Sequence, residues 1–145
     1  MIARVRTAMD KREGEKGFTL IELLVVIIII GILAAIAIPA FLNQRTRGWE
    51  AQVESDLKNA ALAAETYAVS NNGSYVGLTH TAGTTGKSLK ENGYNATDRV
   101  SVTVTGASAT SFTLSAQHSD LTSKTWTYNS TDGVIKESTS GGGTP

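Results

Sequence analysis

Gly17-Phe18-Thr19-Leu20-Ile21-Glu22-Leu23 opens a run that carries no charge from Leu23 to Leu42. About 20 apolar residues at ~1.5 Å rise span the ~30 Å hydrocarbon layer of a bilayer, so the run is long enough to cross one. A single carboxylate, Glu22, stands at its N-terminal end. A charge at a helix centre in lipid costs roughly 2.5–3.5 kcal/mol on insertion scales, and less near an end. Glu22 therefore calls for a partner.

Outward from this run, the N-terminal side is basic. Arg4, Arg6, Lys11, Arg12 and Lys16 stand against Asp10, Glu13 and Glu15, whereas only Arg45 and Arg47 follow the run before the next acidic residue. By the positive-inside rule the N-terminus lies in the cytoplasm and residues 43 onward lie outside. Inside the run, Gly31 and Pro39 are the weak points. Proline supplies no N–H and crowds the carbonyl of Ala35, so a kink is expected there.

After Leu42 the pattern becomes amphipathic. Trp49, Val53, Leu57, Ala60, Ala61, Ala64, Tyr67 and Ala68 recur at three- and four-residue steps, which is one helix face. Glu50, Glu54, Lys58 and Glu65 occupy the other side, with Glu54 and Lys58 spaced for an i,i+4 pair. Gly48 marks a place for a bend, and Asn71-Asn72-Gly73 is a C-terminal stop. The whole predicts one helix over 18–72, roughly 80 Å long at ~1.5 Å per residue. Its first half needs lipid or copies of itself.

Residues 74–98 read as an irregular connection with a helical turn around Ser88 to Asn92. Alternation then begins: Val100, Val102 and Val104; Phe112, Leu114 and Ala116; Trp126 and Tyr128; and Val134-Ile135 after Asp132-Gly133. This period of two predicts three or four antiparallel strands in meander order near 99–105, 111–118, 124–129 and 133–137. The Asn129–Gly133 stretch is a hairpin loop. The fold class is α+β, with the apolar sheet face packed on the Val53–Tyr67 stripe. Residues 73–137 form the β-rich domain, and 138–145 a flexible tail.

Composition excludes several classes. The chain has 145 residues, and without the apolar run roughly 100 remain, enough for one small core. Net charge is zero and cysteine is absent, so disulfides and thiolate metal sites are ruled out. No catalytic, cofactor or metal constellation is visible, and no basic stripe for nucleic acid. His80 and His118 read as solvated surface residues. Asp98, Asp120 and Asp132 lack the spacing of a calcium loop. Glycosylation triplets at Asn72, Asn95 and Asn129 are expected by accident in so Ser/Thr-rich a chain.

The head of the run resembles the class III signal and N-terminal segment of a type IV pilin. Gly17 precedes the aromatic Phe18, Thr19-Leu20-Ile21-Glu22-Leu23-Leu24 follow, and an aliphatic helix leads to Pro39. The resemblance covers Lys16 to about Asn43. It implies a leader, residues 1–17, cut between Gly17 and Phe18 by a prepilin peptidase that also methylates the Phe18 amine. It implies Glu22 as partner of the Phe18 amine of a neighbouring subunit, and loss of helical order between Gly31 and Pro39 in the filament. It further implies a non-enzymatic homopolymer, first anchored in the cytoplasmic membrane through residues 18–42. Inner-membrane machinery and an ATPase then assemble it into an extracellular pilus.

Two rivals share parts of this reading. A pseudopilin of a type II secretion or competence system has the same leader and helix. The usual secretion pseudopilin calcium loop, with its Asp-Pro-Trp-like segment, is missing, since Pro39 and Pro145 are the only prolines. A secreted β-rich module behind an ordinary signal peptide would be cut after Ala35-Ile36-Ala37 instead.

Overall fold

The structure, a computed structural model, describes residues 17–80 and 88–139. The leader up to Lys16, the middle of the connection and the last six residues of the tail lie outside the described residues. The chain divides into two units, Met1–Phe41 and Leu42–Pro145. One helix, α1 (Leu20–Ser70), begins in the first and ends in the second.

In the first unit, Gly17, Phe18 and Thr19 are non-helical and α1 starts at Leu20. Beta-branched residues have modest helix propensity in water. Where no water can satisfy the backbone, helix is what such a stretch must adopt. α1 runs unbroken through Gly31 and Pro39. The large apolar side chains from Leu20 to Phe41 keep 47–89% of their surface. They surround the helix on every side and stay exposed among the described residues. By length and composition α1 is able to cross a membrane.

In the second unit the same helix has one buried stripe: Val53, Asp56, Leu57, Ala60, Ala61, Ala63, Ala64, Tyr67 and Ala68. Gly48 does not interrupt it. The stop at Asn71-Asn72-Gly73 has a physical form. Asn72 (φ 56°) and Gly73 (φ 81°) are left-handed, and the Gly73 N–H donates back to the Ala68 carbonyl at 2.8 Å. That six-to-one bond is the Schellman end of a helix.

The sheet is four-stranded, β1 (Val100–Ala107), β2 (Phe112–His118), β3 (Lys124–Asn129) and β4 (Val134–Thr139), in the order β1-β2-β3-β4 with every pair antiparallel. Ser138 and Thr139, expected in the tail, pair with Thr125 and Lys124, so β4 is longer than alternation predicted. A bulge falls between Val104 and Gly106 of β1, which ends the alternation and twists that edge.

The core joins the helix stripe to Val100, Val102, Phe112, Leu114, Ala116 and Trp126 of the sheet, with Leu78, Leu89 and Tyr94 closing it from the connection. Small alanines on α1 let the sheet come close, and Trp126 and Phe112 fill the space. The opposite sheet face carries Ser101, Thr103, Thr113, Ser115, Thr125 and Thr127, exposed or half-buried. The turn expected at Ser88–Asn92 is present, with Glu91, Asn92 and Gly93 each donating to the carbonyl three residues back.

Candidate functional site

Gly17, Phe18, Thr19 and Glu22 gather where α1 begins. Thr19 is the residue before the first helical one, and Glu22 is three residues on. The Thr19 N–H and Oγ1–H both donate to Glu22 Oε2 at 2.9 Å, and the Glu22 N–H donates to Thr19 Oγ1 at 3.3 Å. These reciprocal bonds make a capping box, which satisfies backbone donors that a helix start leaves without partners. A carboxylate in the first turn also suits the positive end of the helix dipole.

Glu22 therefore has a partner within its own chain, and Thr19 is the residue that sequence reading passed over. The Thr-x-x-Glu spacing was the signal that identifies it. Both bonds use Oε2. Glu22 Oε1 makes no hydrogen bond among the described residues. Phe18 is 84% exposed, and Gly17 is exposed with nothing within 4 Å of where a Cβ would sit. Phe18, Ile21, Glu22, Val25 and Val26 line one open groove along the first turns. Gly31 and Pro39 lie further along the same exposed half of α1 and do not join this cluster.

The outer unit corrects the reading of the histidines. His118 is 1% exposed and stacks on Trp49. Its position in the β2 alternation, two residues after Ala116, places it on the inner face. His80 is partly buried against Tyr94, its Nδ1 has no hydrogen-bond partner among the described residues, and burial pushes its pKa down.

Sequence reading also missed Asp56, which sits within the buried stripe. It accepts the Tyr94 hydroxyl at 3.1 Å, the Thr97 N–H at 2.8 Å and the Thr97 hydroxyl at 2.6 Å. Burial, and then the Asp56 carboxylate, push the Tyr94 phenol well up. Asp56 thus ties the connection to α1. Lys124 ties the sheet to it, reaching Glu50 at 2.7 Å and Glu137 at 2.8 Å. Those two bonds, Glu137 first, raise the Lys124 pKa. Glu54 and Lys58 form no ion pair among the described residues. No three potential metal ligands gather among the described residues.

Residues 13–38 match the model of the prokaryotic N-terminal methylation motif. The type IV wide pilus major component PilA4 of Thermus thermophilus is 40% identical over 125 residues, 86% of this chain and 88% of that protein. The type IV major fimbrial protein FimA of Dichelobacter nodosus is 52% identical over 52 residues, 36% of this chain and 33% of that protein. The type II secretion system core protein G of Klebsiella michiganensis is 34% identical over 61 residues, 42% of this chain and 43% of that protein. Two of these matches cover less than half of each chain, whereas the first covers most of both and so takes in helix and sheet. With its methylation motif, its single long helix and its four-stranded meander, the chain belongs to the type IV pilin family.

Proposed function

We propose that the chain is the structural subunit of a type IV pilus, polymerised through the first half of α1. The observation that carries this is the stretch 17–41, an apolar surface left exposed among the described residues and headed by one carboxylate. Residues 1–17 are the leader. A prepilin peptidase hydrolyses the Gly17–Phe18 bond, leaving a carboxylate on Gly17 and an ammonium on Phe18, which is then methylated. The bond lies two residues ahead of α1, in non-helical backbone, and glycine lets a catalytic site approach it closely.

Before assembly, residues 18–42 sit in the cytoplasmic membrane with the N-terminus inside. Assembly replaces lipid with copies of the same helix. Inner-membrane machinery and a cytoplasmic ATPase supply the work, and the subunit itself performs no catalysis. Thr19 holds Glu22 Oε2, and Oε1 receives the Phe18 ammonium of a neighbour. Two charges buried together in an apolar bundle satisfy each other and set axial register. Within the same half, the segment from Gly31 to Pro39 loosens as the helix leaves the bilayer. The four-stranded sheet, packed on the second half of α1, forms the outer surface.

The pseudopilin reading is second, supported by the match to core protein G over 42% of this chain. The similarity to PilA4 through the sheet favours the pilus. Glu22→Val tests the proposal. The variant is expected to be cleaved normally and to accumulate in the membrane without filaments; filaments at wild-type amounts would overturn the role of Glu22.

A further inference from the structure

His118 closes β2, and neither the assembly segment nor the apolar core accounts for a titratable ring there. Its side chain stacks on Trp49 of α1, with centroids 5.2 Å apart and planes 23° from parallel. The Arg45 guanidinium lies 4.8 Å from the Trp49 ring centre. Helix and sheet thus meet through the Trp49–His118 stack, with Arg45 on the same indole. At the edge of the ring, Nδ1 accepts the Asp120 N–H at 3.1 Å. To accept this bond Nδ1 must present its lone pair. The Asp120 carboxylate lies 3.7 Å from the same Nδ1, yet it is held by Arg99 at 2.9 Å.

We propose that this cluster is an acid-sensitive joint between α1 and the β2–β3 turn. Protonation turns Nδ1 from acceptor to donor, so it then faces the Asp120 N–H donor to donor, and that bond is lost. The acceptor poised beside it is Asp120 Oδ2, and taking it means moving the turn and releasing Arg99. Arg99 is itself held in the left-handed region at φ 67°, a conformation that a bulky residue keeps only under constraint. Two constraints are the Asp120 pair and the Ser119 N–H donated to the Arg99 carbonyl at 2.9 Å.

Charged groups on the elements around the ring include Arg45, Arg47 and Glu50 beside Trp49 on α1, Asp98 and Arg99 ahead of β1, Asp120 in the turn, and Lys124 of β3. Among the described residues, the carboxylate within 4 Å of Nδ1 is that of Asp120. One proton is read at three places: the ring, the Asp120 amide and the Trp49 stack.

The experiment is an NMR titration of the full chain in detergent micelles between about pH 8 and about pH 5, the range in which an imidazole changes charge. It follows the His118 ring, the Asp120 amide and the Trp49 indole, with the Trp126 indole as internal control. The three signals are expected to move with one midpoint while Trp126 stays. In His118→Asn, whose side-chain oxygen accepts the Asp120 N–H but does not titrate, the Asp120 and Trp49 movements are expected to vanish. A ring that titrates alone, a ring that does not titrate in this range, or movements that persist in His118→Asn would each overturn the proposal. Should that variant fail to fold, Asp120→Asn keeps the backbone amide and removes the carboxylate. Residue 120's amide must then still follow the ring, and an amide that does not follow it overturns the proposal equally.

Discussion

Leu23–Phe41 and Val53–Ala68 belong to one helix and solve opposite problems. In the outer stretch, apolar residues recur on one face, and the chain's own sheet covers them. In the inner stretch apolar residues go all the way round, and among the described residues the large ones stay exposed. A helix with one stripe is finished by folding. A helix with no polar face is finished only by a second medium, lipid or other helices. The difference locates folding energy in one half of α1 and assembly energy in the other.

The sharpest way to break that comparison is to make the same kind of deletion in each half. Leu57→Ala removes a fully buried side chain and is expected to cost ~2–5 kcal/mol of stability. Ile28→Ala, in the exposed half, is expected to leave the thermal midpoint of the outer domain unchanged and to reduce filament yield. Thermal unfolding in detergent, read beside sheared-filament yield, checks both. Equal destabilisation by the two changes would contradict the division.

Next in size is Asp56. Asp56→Ala strands the Tyr94 hydroxyl and the Thr97 N–H, and each lost bond to a charged acceptor is worth ~1.5–3 kcal/mol. Denaturant unfolding should show several kcal/mol lost. The same site gives a pH dependence. The fold favours the neutral Tyr94 phenol and raises its pKa. Its contribution is therefore whole below the unfolded value of about 10 and is lost as pH rises through the folded value. Alkaline titration should show Tyr94 phenolate absorbance appearing together with unfolding. Phenolate that forms in the intact fold at its ordinary pH would contradict this.

The smaller effects test the start of the helix and its tie to the sheet. Thr19→Val removes the cap and should cost the first turn ~1 kcal/mol, with Thr19→Ser restoring it. Amide exchange of Leu20–Leu23 in micelles reads this directly. Lys124→Met breaks the pairs with Glu50 and Glu137. As partly exposed pairs they should contribute about 1 kcal/mol or less, seen as a small drop in midpoint.

Periodicity made most of the fold legible. The step of three and four placed Val53 to Ala68 on the sheet, and the step of two placed all four strands. What escaped depended on contacts between distant residues. Asp56 reads as one more polar residue until Tyr94 and Thr97, some 38 and 41 positions away, supply its donors. His118 reads as surface until Trp49 covers it. Thr139 reads as tail until Lys124 pairs with it. At the candidate site Glu22 stood out because a charge beside an apolar run is conspicuous. Thr19 did not, because a capping threonine next to such a residue looks ordinary.

The central claim is that the uncovered half of α1 survives into the finished filament and that the cut lies ahead of it. The mass and N-terminal residue of subunits sheared from the cell surface test this most directly. A chain beginning at Phe18 with a methylated amine is the predicted result. A chain beginning near Ile38, without residues 18–37, would contradict it.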